Sequence, residues 1–179
     1  MKNVYINAAH SSFSPGGVWG KRTEHKDAVR FSEKLKRELL KYDICCEIFS
    51  GSIWNGFSND DMILSFHRDG NMKNTEKYGA SVLVPKNADA EIQYDAFRLL
   101  SALTGDMGFR NRGVHTFTEK SPFKSIEKSG SRNTFIFTLG FMDKDCDNRI
   151  LDKNSDVLVK LFAYRLNKIL KERENEDNA

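Results

Sequence analysis

Val4-Tyr5-Ile6-Asn7-Ala8-Ala9-His10 is a short apolar run that passes through small residues and ends on an imidazole. Its β-branched and aromatic opening, too brief for a helix, reads as a buried strand at Val4-Tyr5-Ile6. A loop rich in Ser, Gly and Pro follows through Gly20. Glu24 to about Lys41 then reads as a helix, because Ala28, Phe31, Leu35 and Leu39 recur every three or four residues and share one face. Thr23 suits its N-cap, since a hydroxyl there can accept from a free first-turn N–H.

The alternation continues outward. Strands are expected over 44–49, 62–66 (Met62-Ile63-Leu64-Ser65-Phe66, ending at His67), 80–84 before Pro85, 113–118 and 134–139. Helices are expected over about 88–107, with Ile92, Ala96, Leu99, Leu103 and Met107 in one stripe, and about 154–171, with Leu158, Leu161, Phe162, Arg165 and Ile169 close on one side. Strands alternating with helices imply an α/β sheet with helices on its faces. At 179 residues the chain suits one domain, drawn here over 1–171 with a polar, frayed tail over 172–179.

Composition narrows the function classes. Hydrophobic residues at 39% and charged residues at 30% are ordinary for a soluble globular chain and exclude a fibrous or disordered one. A net charge of +3 and a pI near 8.7 are compatible with an anionic partner such as nucleic acid or a cell-wall polymer. No dense Lys/Arg tract with interleaved aromatics is present, which disfavours nucleic acid. Three cysteines, two of them adjacent (Cys45, Cys46, Cys146), give neither a disulfide framework nor a CxxC metal site; Cys45 and Cys46 are expected on opposite faces of a strand, at least one buried. The N-terminus lacks the apolar core of a signal peptide, and no run reaches the ~18 apolar residues of a membrane span.

His10 and His67 each follow a strand, and in α/β sheets functional groups gather beyond the carboxyl ends of strands. Two imidazoles and a carboxylate make a His₂Glu set for zinc, with a position left open. Glu24 suits the third place, because the loop over 11–23 can fold the helix start back over the strand end. The other reading of Glu24 is dipole stabilisation in a first helical turn. Gly16-Gly17-Val18-Trp19-Gly20-Lys21-Arg22-Thr23 has the wrong glycine spacing for a phosphate loop, and no HExxH, GxSxG or GxGxxG occurs. His25 and His115 have no assigned role.

Asn7-Ala8-Ala9-His10, then Pro15-Gly16 and Glu24, resembles the opening of the zinc-dependent N-acetylmuramoyl-L-alanine amidases of the amidase-3 type. Leu64-Ser65-Phe66-His67-Arg68-Asp69 resembles their second histidine motif. Asn111-Arg112-Gly113-Val114, Thr138-Leu139-Gly140-Phe141-Met142 and Asp147-Asn148 follow their C-terminal half in order. The resemblance runs from about Val4 to Leu170. It implies a twisted mixed sheet between helices, with helices on both faces, and zinc held by His10, Glu24 and His67. It also implies peptidoglycan as substrate, cut at the amide between N-acetylmuramic acid and L-alanine by water that the metal activates. Action would be at the bacterial cell wall. The chain would be made in the cytoplasm without a signal peptide, as in a phage lytic system or by non-classical export.

One departure stands out. The family has a glutamate before its Gly-Phe pair as general base and acid, and Thr138 occupies that position here. A threonine cannot accept a proton from zinc-activated water near neutral pH, and a positioned base contributes roughly 10²–10⁴ in rate. Glu127, Asp143 and Asp145 are the candidate replacements, Glu127 being the one assigned a catalytic place beside Thr138. Arg68 and Asp69 flank the second histidine, and Asp69 is a candidate for orienting a side chain or touching substrate.

Overall fold

The first strand ends in small residues for a steric reason: Ala8 and Ala9 are fully buried where two strands and a helix converge. The computed structural model describes residues 3–52, 56–70, 76–117 and 129–177. In chain order its elements are β1 (Val4–Ala8), the short hairpin β2 (Val18–Trp19) and β3 (Arg22–Thr23), α1 (Glu24–Leu40), β4 (Cys46–Ser50), β5 (Met62–Asp69), β6 (Ala80–Val84), α2 (Ala90–Thr104), β7 (Asn111–Thr116), β8 (Asn133–Phe141) and α3 (Asp145–Asp177). Among the described residues the main sheet has the order β4-β1-β5-β8-β6-β7. All its pairings are parallel except β6 with β8. The chain is a single α/β domain whose mixed sheet packs against three helices, as the pattern of apolar residues implied.

Val4, Ile6 and Ala8 of β1, Met62, Leu64 and Phe66 of β5, and Phe135, Phe137 and Leu139 of β8 alternate onto one face. There they meet Phe31 and Leu35 of α1, Leu99 of α2 and Phe162 of α3 in one core. Phe66 is its hub, with ring centroids 4.9 Å from Phe31, 5.5 Å from Phe137 and 5.8 Å from Phe162. The described helices all lie on this face. The other face carries Ile63, Phe117 and Ile136, with Phe49, Phe57 and Leu83 packed on them; helices were expected there too, and none lies there among the described residues. Among the described residues no helix is long and apolar enough to cross a membrane.

Boundaries moved where polar residues hide strand and helix continuations. β5 runs through His67 to Asp69, so His67 lies inside a strand, not after one. The hairpin β2–β3 sits in the stretch read as plain loop. The last helix begins at Asp145, nine residues before the expected start at about 154, and extends to Asp177. Arg173, in the stretch read as a frayed tail, bonds Asp95 at 2.6 Å and Asn133 at 2.8 Å. Cys46 is buried and Cys45 exposed, and both are free thiols.

The topology creates one crevice. From β1 the chain goes to β4 on one side, then returns to β5 on the other, and ligands bind at such switch points. At the same end, β8 gains one residue relative to β5 between Thr138 and Phe141, a bulge that falls on Gly140 (φ 71°). A Cβ on Gly140 would lie 2.7–2.8 Å from the Asp147 side chain. Asp147 is fully buried and accepts from the N–H groups of Gly79 (2.9 Å) and Phe141 (2.8 Å). Gly140→Ala therefore combines left-handed strain with overpacking and should cost about 2–5 kcal/mol. A melting curve lowered by less than 3 °C would contradict that, since each kcal/mol moves a domain of this size by about 2–4 °C.

Candidate metal centre

Each part of the centre comes from a different element. His10 lies two residues beyond β1, in the left-handed region at φ 63°, where a non-glycine residue is strained. Its carbonyl accepts the Gly51 N–H at 2.6 Å, and the preceding Ala9 N–H bonds the Phe66 carbonyl at 3.3 Å, so both neighbouring strands hold this turn. Glu24 opens α1. Thr23 is its N-cap, as expected, with the hydroxyl accepting from the Lys26 N–H at 3.3 Å. The loop folds back over the helix start: the Glu24 N–H reaches the Gly17 carbonyl at 2.9 Å and the His25 N–H the Pro15 carbonyl at 3.1 Å.

These constraints bring the three residues together. Glu24 Oε1 lies 2.8 Å from His67 Nδ1 and Oε2 lies 3.0 Å from His10 Nε2. One ligand atom from each of the three lies within 4.8 Å of the others. The carboxylate is fixed by two backbone donors, Gly17 N–H at 3.1 Å and Arg68 N–H at 3.2 Å. Burial alone would raise the Glu24 pKa. The His67 hydrogen bond and charge, the Gly17 N–H and the His10 charge outweigh it and hold the carboxyl below its ordinary value. An acid kept ionised between two imidazoles is the state a divalent cation requires.

The groups packed around these three residues are equally specific. A Cβ on Gly16 (φ 72°) would lie 2.5 Å from His10 Cδ2 and 2.6 Å from Glu24 Oε2, so the backbone itself forms the wall beside the ligands. Met142 backs Gly17, where a Cβ would meet its Cε at 2.4 Å. Arg68 points to the helix face, its side chain fully buried, and donates to Asp27 Oδ2 at 2.7 Å, Asn148 Oδ1 at 2.8 Å and the Gly140 carbonyl at 3.3 Å. Burial pulls its guanidinium below the ordinary value while Asp27 pushes it back. Arg68 is thus a strut joining α1, β5, β8 and α3.

Thr138 is 8% exposed and pairs in register with His67 on one side and Ser81 on the other. The two-residue alternation puts all three on the face that carries Ile63 and Ile136, beside the ligands. Its hydroxyl has no hydrogen-bond partner among the described residues. Glu127 lies outside the described residues. Asp143 lies 3.8 Å from the Lys144 ammonium, and Asp145 is exposed in the first turn of α3. His25 is structural, bonding the Ala9 carbonyl at 2.9 Å. His115 Nε2 bonds the Arg112 carbonyl at 2.9 Å. Asp27, which accepts from arginine side chains, and Asp147, which accepts from backbone N–H groups, carry much of the support, and no apolar period or spacing rule marks such buried acids.

No protein-family model and no curated protein matches the sequence. Solved structures do. An N-acetylmuramoyl-L-alanine amidase from Clostridium difficile 630 is similar with a TM-score of 0.75 at 16% identity, over 94% of this chain and 96% of that one. The catalytic domain of CwlV, an N-acetylmuramoyl-L-alanine amidase from Bacillus (Paenibacillus) polymyxa var. colistinus, gives 0.74 at 15% identity over 96% and 99%. The catalytic domain of the CD27L endolysin targeting Clostridia difficile gives 0.70 at 16% identity over 91% and 95%. At such identities what is shared is the fold, and a fold alone does not carry an activity.

Proposed function

We propose that this chain is a zinc-dependent N-acetylmuramoyl-L-alanine amidase that hydrolyses the bond between N-acetylmuramic acid and L-alanine in peptidoglycan. The observation that carries the reading is the convergence of His10, Glu24 and His67 within 4.8 Å, in a fold shared with solved amidases. The donor set suits zinc: two imidazoles and a carboxylate held ionised, beside a wall of bare glycine backbone. Bound there, the ion would supply a Lewis acid that polarises the scissile carbonyl and activates water. The chain's own residues do the rest. Glu24 supplies negative charge, and the Gly17 and Arg68 N–H groups keep its oxygens aimed at both imidazoles. Action is at the bacterial cell wall, with no role for nucleic acid.

Thr138 favours a second reading, a pseudo-amidase that holds zinc and cell wall with little or no cleavage. One experiment separates them. Protein loaded with zinc is incubated with purified muropeptides, and sedimentation with sacculi is measured in parallel. Release of stem peptides above a metal-free control supports the amidase. Binding without release supports the pseudo-amidase, and neither would refute both.

A further inference from the structure

The rim of the crevice holds a cation that the metal centre does not use. Arg112, on edge strand β7, reaches across Phe141 with its guanidinium carbon 4.8 Å from the ring centroid, and its Nη1 donates to Asp69 Oδ2 at 3.1 Å. Asp69 stands two residues beyond His67 on the same strand and the same face. The bulge that interrupts the register lies in β8, so this alternation in β5 is undisturbed. Phe141 is buried at the end of β8, past the last residue that pairs with β6, which opens the gap the arginine spans.

A guanidinium has five donors in a rigid fork. Here the Asp69 bond takes one and the ring holds the plane. Among the described residues nothing takes the Nε–Nη2 edge, and the side chain is 26% exposed. That edge is the one that binds a carboxylate in two parallel hydrogen bonds. Anchored on both a face and a corner, the arginine has little rotamer freedom left to lose on binding.

We infer that Arg112 is a specificity residue, a receptor for a carboxylate of the bound stem peptide. The inference rests on the amidase reading above. Two residues of strand put Asp69, and so the guanidinium edge, about 7 Å beyond His67. An extended peptide covers that distance in about two residues. The group recognised is therefore a free carboxylate about two residues along the peptide from the bond to be cut, and a carboxamide there loses the charge that the fork reads.

The test uses metal-loaded protein and two synthetic muramyl peptides identical except for carboxylate or carboxamide at that residue, with affinity read by calorimetry so that slow chemistry does not obscure it. Wild type should bind the acid roughly 10- to 100-fold more tightly. Arg112→Gln should bind both forms equally, at the level of the amide in wild type. Arg112→Lys should keep part of the preference, because it retains the charge and loses the fork. Unchanged melting temperatures would show that the edge strand tolerates both changes, and a preference ratio is insensitive to partial unfolding. Equal affinity of wild type for the two peptides, or a preference that survives in Arg112→Gln, would overturn the inference and leave the amidase reading standing. No binding of either peptide to wild type would overturn both.

Discussion

Replacing Thr138 by glutamate should raise the rate of stem-peptide release by roughly 10²–10⁴, the usual contribution of a positioned general base. On the amidase reading the site would be complete but for a group that handles the proton. Thr138 pairs with His67 in the ladder and shares its face, so a longer acid at that position starts beside the ligands. Its other ladder neighbour is Ser81, a small side chain, and among the described residues the threonine hydroxyl makes no hydrogen bond that the change would break. A carboxylate there is costly to bury alone, and a cation held by His10, Glu24 and His67 would offset that cost. Thr138→Gln is the control, of similar size and unable to accept a proton. Both variants are to be compared with wild type at equal zinc content. If Thr138→Glu keeps its metal and its fold and gains nothing over Thr138→Gln, the missing base is not what limits the protein.

Changing Glu24 to glutamine should abolish the response to zinc. In wild type, zinc at about 100 times its dissociation constant stabilises the folded chain by about 2.7 kcal/mol. For a domain of this size that raises the melting temperature by about 5–11 °C. Glu24 contributes the only formal negative charge of the trio and both contacts between the imidazoles, at 2.8 and 3.0 Å. Supporting residues around metal ligands are worth about 10- to 100-fold in affinity, so loss of a charged ligand should exceed that range. The amide also presents an N–H₂ group to partners that are themselves donors, the Gly17 and Arg68 N–H groups. The measurement is the thermal shift on adding zinc to each protein. An equal shift in Glu24→Gln and wild type would place the metal elsewhere.

How much of this could be read in the sequence depended on which force wrote the signal. Helices α1 and α2 were legible because their buried residues fall at helical spacing, and Thr23 was legible as a cap by its chemistry. The start of α3 was not, because its first turns carry acids and an asparagine and present few apolar side chains. By its apolar pattern strand β5 ends at Phe66, because His67, Arg68 and Asp69 break the apolar run. Those residues stay in the ladder because each has a dedicated partner, Glu24, Asp27 and Arg112 respectively. The trio His10, Glu24 and His67 was legible as a set of ligand types at strand and helix ends, and the structure brings the three together. What could not be read was the support: Gly16 as the wall beside the ligands, Arg68 as a buried strut and Asp147 beneath Gly140 all depend on distances across the fold.

The strand order also sets the order in which a newly made chain can finish its work. All three candidate ligands lie within the first 67 residues, yet β8, which pairs along the free side of β5, spans Asn133–Phe141. Until that later stretch has been synthesised, β5 shows an unpaired edge built from Met62, Ile63, Leu64 and Phe66, a template for joining other chains. A recombinant chain interrupted before residue 133 should thus accumulate as aggregate despite carrying every candidate metal ligand.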